Sequence, residues 1–138
     1  MKAITLYQPW ATLVMFYDKD VENRSWHIRH RGELIIHAGL QMDEGALQKY
    51  GPIYGFTKLE LPRGCTLGIV KAIDGFRNLP GINEREPSIW HEEGQYGLYF
   101  SQSPDDKRPF PEPVKKRGYQ KLWNIEDIEV VRMMNGAA

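Results

Sequence analysis

The sequence predicts an α+β fold, a small mixed β-barrel accompanied by two or three short helices. The length of 138 residues is the usual size for one hydrophobic core, so a single domain over residues 1–138 is expected. Short strand-like segments outnumber helical ones along the chain. The longest of them contains Gly68, and a glycine inside a strand is typical of a bulge or bend that curls a sheet.

The N-terminal part of the chain predicts two strands separated by a helix and an extended segment. Residues 2–7 alternate between apolar and polar side chains, which is typical of a strand. Pro9 suits the first turn of a helix, because its missing N–H costs nothing there. This helix should end near residues 18–20, and its apolar face carries Trp10, Leu13, Val14 and Tyr17. Residues 21–26 are expected to be extended, and a strand follows at 33–38.

The remainder predicts further strands and two weaker helices. One helix should end at Gly51 and Pro52, and its apolar positions are Met42, Ala46, Leu47 and Tyr50. The sequence then predicts strands at 65–76, 95–100, 120–125 and 128–133, with a short helix at 87–92. Because residues 104–113 contain four prolines, they are expected to form an irregular loop.

Charge is balanced overall but unevenly distributed along the chain. Eighteen lysines and arginines oppose eighteen acidic residues, and a formal net charge of zero argues against a purely electrostatic nucleic-acid binder. Residues 24–31 and 107–121 are nonetheless rich in basic side chains. These segments either share one basic face or form two separate solvated loops, and the sequence leaves both interpretations open.

Hydropathy and cysteine content favour a cytoplasmic protein with no membrane partner. The longest apolar runs, such as residues 34–36, are far too short to span a bilayer, and no signal-peptide pattern opens the chain. The single cysteine, Cys65, has no partner for an internal disulfide, which favours a reducing compartment. Because Cys65 begins an apolar strand, a buried structural thiol is expected there.

The common cofactor and metal motifs are absent from the sequence. It has no GxxxxGK[ST] loop, no GxGxxG after a strand, no CxxC pair and no HExxH. His27 and His30 stand three residues apart without a nearby cysteine or third histidine, so no metal site is expected. The sequence therefore predicts no cofactor.

The segment 8–26 is richest in candidate functional residues. It reads QPWATLVMFYDKDVENRSW and contains Gln8, Trp10, Lys19, Glu22, Arg24 and Trp26. Lys19 and Glu22 lie where a helix passes into a strand, so their opposite charges could meet at the rim of a cleft. The alternative is a surface ion pair worth at most about 1 kcal/mol, with both tryptophans in the core.

Several motifs together resemble the ASCH family, named for activating-signal-cointegrator homology. They are QPWA, the K-x-x-E-x-R-x-W run from Lys19 to Trp26, RGELIIHA from Arg31 to Ala38, PRGCTLG from Pro62 to Gly68, and KLW from Lys121 to Trp123. The PRGCTLG motif and the KLW ending are similar to the coactivator branch of that family. The resemblance covers almost the whole chain, although Tyr17 stands where the family pattern has a glycine.

The resemblance implies a PUA-like barrel with a cleft that recognises RNA or DNA. The resemblance favours RNA over DNA, and the residues expected to contact it are Gln8, Trp10, Lys19, Glu22, Arg24, Trp26, Arg29, Arg31 and Lys121. Lysines and arginines would meet phosphates or base edges, and an accessible tryptophan could stack on a base. A free nucleoside-sized ligand is the alternative partner.

Two further functions stay open at this point. Some bacterial ASCH proteins resemble amidohydrolases of acetylated cytidine or ribonucleases, which would make Lys19 and Glu22 catalytic. The amidohydrolase branch has threonine where Glu22 stands, and a salt-bridged lysine would be a poor base. A protein-interaction domain is the other possibility, with Phe110 at the centre of the proline-rich loop as its contact surface.

Overall fold

A computed structural model describes residues 1–136 as one mixed β-sheet flanked by helices. The strands are β1 (Lys2–Gln8), β2 (Val21–Arg24), β3 (Gly32–Met42), β4 (Cys65–Arg77), β5 (Tyr96–Phe100), β6 (Arg108–Lys115) and β7 (Leu122–Asn124). The α-helices are α1 (Trp10–Phe16), α2 (Glu44–Tyr54) and α3 (Asp127–Met134), and single 3-10 turns cover Lys58–Glu60 and Pro104–Asp106. The α+β class that the sequence predicted is confirmed.

The strand order explains the barrel-like curvature of an open sheet. Six strands follow one another as β2-β5-β4-β3-β1-β7, and β6 pairs with β4 outside this path. One edge of β4 pairs with β3, while the other pairs with β6 along residues 65–69 and with β5 along 72–77. The sheet therefore divides at β4 and bends around the core without closing.

Gly68 lies at the bend of β4, as the sequence predicted. The β3–β4 and β4–β6 registers both shift just before this residue. A Cβ atom on Gly68 would lie 2.6 Å from the backbone oxygen of Arg108 and 2.8 Å from Sδ of Met15. A side chain here would hold β6 and α1 away from the sheet, so glycine permits the close packing.

The parallel pair β1 and β3 places two helix entrances side by side. Their registers run from Ala3 opposite Ile35 to Gln8 opposite Met42, so both strands end at the same edge. There β1 leads into α1, β3 leads into α2, and the Asp43 N–H donates to the Gln8 oxygen at 2.7 Å. Side chains from two distant parts of the sequence consequently meet at this edge.

Hydrophobic clusters cover both faces of the sheet. Ile4 and Leu6 pack on the α1 side, whereas Ala3 packs on the α3 side with Trp123 and Met133. This division follows from the alternation of side chains along β1. Each fully buried aliphatic side chain contributes about 1.5–3 kcal/mol, so the two clusters together fix the orientation of β1.

Two segments predicted from local patterns form different structures. Residues 128–133 belong to α3 rather than to a strand, because Val130 and Met133 cover β6 from one helical face while Ile128 and Val131 remain half exposed. The predicted loop at 104–113 is mostly strand β6. Its prolines are tolerated because β6 pairs only with β4 among the described strands, and Phe110 is buried in the core.

Two helix predictions also differ from the structure. Residues 87–92 form turns and not a helix. Helix α2 continues through Gly51 and Pro52 to Tyr54, and Gly55 ends it with a φ of 80°. Gly51 permits the returning chain to approach closely, because a Cβ there would lie 2.8 Å from the Phe56 oxygen. Within residues 1–136, no helix has the length and apolar character needed to cross a membrane.

Candidate functional site

A cleft of about 390 Å³ opens between α1, β2, α2 and the turn before β5. Lys19, Glu22 and Asn23 form its floor on one side, and Trp10, Tyr50 and Trp90 form an aromatic wall. Asp43, Lys49, Ile89 and Glu92 complete the lining. The structure thus brings together Trp10, Lys19 and Glu22, three of the residues that the sequence singled out.

The aromatic wall is a continuous group of three rings. The Tyr50 ring lies 5.6 Å from the Trp10 ring and 5.2 Å from the Trp90 ring, at interplanar angles of 62° and 43°. The Trp10 indole is fixed further because its Nε1 donates to Oδ2 of Asp43 at 3.2 Å. A flat ligand entering the cleft would therefore meet rings that are already held in position.

Lys19 is a buried cation at the bottom of the cleft. Its side chain is only 3% exposed, its Nζ lies 5.1 Å from the centre of the Trp10 ring, and it donates a hydrogen bond to the Val21 oxygen. Burial lowers the pKa of Lys19, and the negative charge of Glu22, whose Oε1 is 3.8 Å away, partly opposes that change. Desolvation is the larger effect, so the lysine is easier to deprotonate than one in water.

Glu22 is held in place by Arg24, whose side chain turns away from the cleft. Arg24 Nε donates to Oε2 of Glu22 at 3.0 Å, and its Nη2 donates to the backbone oxygen of Thr5 at 2.9 Å. Arg24 does not line the cleft. It therefore acts as a support that orients the Glu22 carboxylate between two basic side chains.

Tyr17 replaces the family's glycine without backbone strain. Its φ of −128° and ψ of −155° are extended values that any residue adopts. The Tyr17 ring packs against Tyr54 at 4.9 Å and Phe56 at 6.0 Å between ring centres. The turn into Lys19 consequently needs no positive φ here, and the tyrosine attaches α1 to the end of α2.

Seven of the ten residues that line the cleft were not among the site candidates, and Asn23, Asp43 and Trp90 hold its shape. Asn23 binds the opposite turn twice: its Nδ2 donates to the Trp90 oxygen, and its Oδ1 accepts from the Glu92 N–H, both at 2.9 Å. Asp43 caps α2 by accepting from the Ala46 N–H while it also holds Trp10. The capping pattern of Asp43 was the one local signal available; Trp90 was hidden in a segment predicted as helix.

The other candidate residues lie outside the lining of the cleft. Gln8 is fully buried, and both ends of its amide are used, by the Pro62 oxygen and the Thr12 N–H. Trp26 is 36% exposed. Arg31 bonds to nearby backbone oxygens, and Arg29 and Lys121 are exposed. The structure does not bring the basic segment 24–31 into the cleft.

The charges and titratable groups of the cleft make it unsuited to a phosphate. Its two lysines face the three carboxylates of Glu22, Asp43 and Glu92.

Among residues 1–136, no group of three or more histidine, cysteine or acidic side chains could hold a metal ion. Cys65 is buried and does not line the cleft, and burial raises its pKa to about 11, as expected of a structural thiol.

The bent, open mixed sheet with three helices has the character of a small barrel-like, PUA-like α+β domain. No family model matches the chain. The chain is similar to activating signal cointegrator 1 of Mus musculus, at 28% identity, and of Homo sapiens, at 29% identity. Each match covers 89% of this chain and 22% of the relative, so the chain spans about a fifth of the length of these proteins. This similarity supports an ASCH-type domain and confirms the resemblance that the motifs indicated.

Proposed function

We propose that this chain is a single nucleic-acid-binding domain for RNA, whose cleft receives one unpaired base. The observation that carries the proposal is the aromatic wall of Trp10, Tyr50 and Trp90 in one cleft with the buried Lys19 and the partly buried Glu22. Stacking of a base on an aromatic side chain is worth roughly 1–3 kcal/mol, whatever the base. The family resemblance to ASCH domains supports the same class of ligand.

The polar floor offers a way to select among bases. The Glu22 carboxylate accepts hydrogen bonds, as from the amino group of cytosine, adenine or guanine. The Lys19 ammonium donates, as to a ring nitrogen or carbonyl oxygen beside that amino group. Uracil carries no amino group, so we expect oligouridine to bind more weakly than oligocytidine of the same length.

A titration with fluorescently labelled RNA tests the proposal. Single-stranded RNA, double-stranded RNA and double-stranded DNA are compared at two salt concentrations, with wild type, Trp90→Leu and Lys19→Met. Trp90→Leu should weaken single-strand binding by about tenfold, since one stacking partner is lost. Trp26→Leu is the matched control, because Trp26 lies outside the cleft and its loss should leave the affinity unchanged.

The outcomes separate the proposal from its competitors. Weaker binding in both cleft variants, with Trp26→Leu unchanged, supports a base in the cleft. If wild type binds none of the three ligands, the domain is not a nucleic-acid-binding module. Equal weakening by Trp90→Leu and Trp26→Leu would place the bases elsewhere on the surface.

A second candidate function is hydrolysis of a modified nucleoside, and the environment of Lys19 favours it. Burial lowers the pKa of Lys19 despite the nearby carboxylates, which brings the amine closer to the neutral form that a base or nucleophile requires. Incubation with N4-acetylcytidine should then yield cytidine and acetate, and Lys19→Met should abolish the products while the circular dichroism spectrum stays native. If the wild-type protein leaves N4-acetylcytidine unchanged and labelled RNA uncleaved, both the amidohydrolase and the ribonuclease functions are excluded.

A further inference from the structure

A groove of about 520 Å³ lies on the face of the sheet opposite α1. Thr5 and Tyr7 of β1 line it, whereas the alternating residues Ile4 and Leu6 pack on the α1 side. Its other wall is the connection between β6 and β7, residues 115–120. The groove therefore lies on the face of the sheet that α1 does not cover, and it shares no lining residue with the cleft.

The charge of the groove differs from that of the cleft. Lys115, Lys116 and Arg117 line it, and none of its lining residues is acidic. Lys116 is neutralised by Glu129, whose Oε2 lies 2.8 Å from its Nζ. Lys115 and Arg117 form no ion pair with any residue of the described range 1–136. Two cations are thus free to meet an anion.

Two tyrosines expose their rings beside these cations. Tyr7 is 49% exposed and Tyr119 is 53% exposed. The Tyr119 ring packs edge-on against Trp123 at 5.5 Å, and the Arg117 guanidinium lies 5.4 Å from the Tyr119 ring centre. Exposed aromatic rings next to cations are the combination that binds the bases and phosphates of an unpaired strand.

The floor of the groove is fixed by a buried hydrogen-bond chain. Trp123 Nε1 donates to Thr5 Oγ1 at 3.1 Å, and that hydroxyl lies 3.1 Å from Nδ1 of His37. His37 Nε2 lies 2.6 Å from the Lys116 oxygen, which can only accept, so Nε2 carries the proton and Nδ1 accepts from Thr5. The basic connection is consequently attached to the sheet through a rigid side chain.

We propose that this groove binds the sugar-phosphate backbone of a single RNA strand, with Lys115 and Arg117 on phosphates and Tyr7 and Tyr119 stacked on bases. Duplexes hide their base faces and would lose the tyrosine contacts. The exposed amides of Gln41 and Gln120 border the groove and match the donor and acceptor character of a ribose 2′-hydroxyl. The inference rests on the proposed function for its ligand and adds a second site to it.

The groove and the cleft are lined by nearby residues of the same two chain segments. Tyr7 and Gln41 line the groove, and Trp10 and Asp43 line the cleft only two or three residues further along each chain segment. The hydrogen bond from Asp43 N–H to the Gln8 oxygen joins the two segments. A strand that places one base in the cleft can thus continue over this edge into the groove.

The double variant Lys115→Ala/Arg117→Ala tests the groove directly. Its affinity for a labelled single-stranded RNA should fall on the order of tenfold near physiological salt. The slope of log affinity against log salt should decrease by about 1.4, since each lost phosphate contact on a single strand accounts for about 0.7. Lys71→Ala/Arg132→Ala removes two exposed cations elsewhere and should change neither quantity.

The outcomes separate this inference from the proposed function. If wild type binds no RNA, the proposed function itself fails. If wild type binds and Trp90→Leu weakens binding, but the groove variant matches wild type in affinity and slope, only the groove site is refuted. A DNA strand of the same sequence should bind more weakly than RNA, and equal affinity would overturn the assignment to RNA. Binding of a polyglutamate peptide in preference to RNA would overturn a nucleic-acid role for the groove.

Discussion

The cleft and the groove have opposite arrangements of charge. In the cleft Lys19 is buried, three carboxylates outnumber the two lysines, and the three aromatic rings pack against one another. In the groove Lys115 and Arg117 are exposed and lack an acidic partner within residues 1–136, and the buried titratable group is His37, whose pKa burial lowers. Contacts to phosphates supply affinity and register, whereas contacts to bases supply selectivity. Under the proposed function, the cleft would therefore supply selectivity and the groove would supply affinity.

The largest loss of stability should follow from adding a side chain at Gly118. This change should affect the groove and leave the cleft intact. A Cβ atom there would lie 2.4 Å from Cε1 of His37 and 2.7 Å from Thr5 Oγ1. Gly118→Ala should therefore lower the free energy of unfolding by about 1–3 kcal/mol, as measured by urea denaturation. Gly45→Ala is the matched control, because its nearest neighbour is 3.7 Å away, and it should be neutral or stabilising. Equal stability of the two variants would contradict a rigid groove floor.

A smaller effect, confined to the cleft, is expected from Asp43. Asp43→Ala removes both the cap of α2 and the partner of Trp10, which should cost about 1 kcal/mol in unfolding free energy. The same change should weaken oligocytidine binding while the salt dependence of that binding stays as in wild type. Asp43→Asn keeps an oxygen for the cap and should recover most of the stability. A changed salt slope in Asp43→Ala would show that the two sites are not independent.

The pH dependence of stability should distinguish the buried histidine of the groove from other groups. Burial lowers the pKa of His37, although its bond to the Lys116 oxygen acts in the opposite direction. The unfolded chain then binds more protons than the native one, so the contribution of His37 is complete above about pH 6.5 and is lost as the pH falls through its lowered pKa. His37→Gln should flatten the urea midpoint against pH in that acidic range. His30→Gln measures the separate contribution of a second histidine, because burial also lowers the pKa of His30. An unchanged profile in His37→Gln would contradict the prediction.

The smallest effect should come from Lys116, the groove cation that already has a partner. Its pair with Glu129 is partly exposed, so Lys116→Met should change the unfolding free energy by less than about 1 kcal/mol. The variant should also reduce the salt slope of RNA binding less than Lys115→Ala does. If Lys116→Met reduced the salt slope more than Lys115→Ala, RNA would have to displace Glu129 from Lys116. Lys116 would then be assigned a phosphate contact as well.

Local sequence patterns predicted most of the sheet. Apolar and polar side chains alternate along a strand that has one buried face, and this alternation is visible within a few residues. The strands at 2–7, 33–38 and 65–76 follow that pattern and appear as β1, β3 and β4. Strand β6 was hidden by its prolines, which are compatible with a strand at the edge of a sheet. Helix α3 was hidden by β-branched residues, whose local preference for strand is overridden by packing against β6.

The candidate site could be predicted only where its residues are neighbours in sequence. Trp10, Lys19 and Glu22 lie in one short segment and appear together in the cleft. Trp90 reaches the cleft through a bond to Asn23 across 67 positions, and no local pattern encodes such a contact. The groove depends on a still longer separation, since Trp123 bonds to Thr5 across 118 positions. The basic run at 115–117 was visible in the sequence, but its proximity to Tyr7 and His37 was not.

The backbone hydrogen bonds around the cleft predict where the chain can vary in length among related proteins. The segment from Asn78 to Gln95 is closed at its neck by its own backbone bonds, from Asn78 N–H to the Gln95 oxygen and from Gly94 N–H to the Asn78 oxygen. Insertions beyond that neck can lengthen the wall of the cleft without disturbing the sheet. The junctions after Gln8 and before Asp43 have no such freedom, because an added residue would separate the bond that joins them. Insertions in homologous domains should therefore collect in the former segment and avoid the latter.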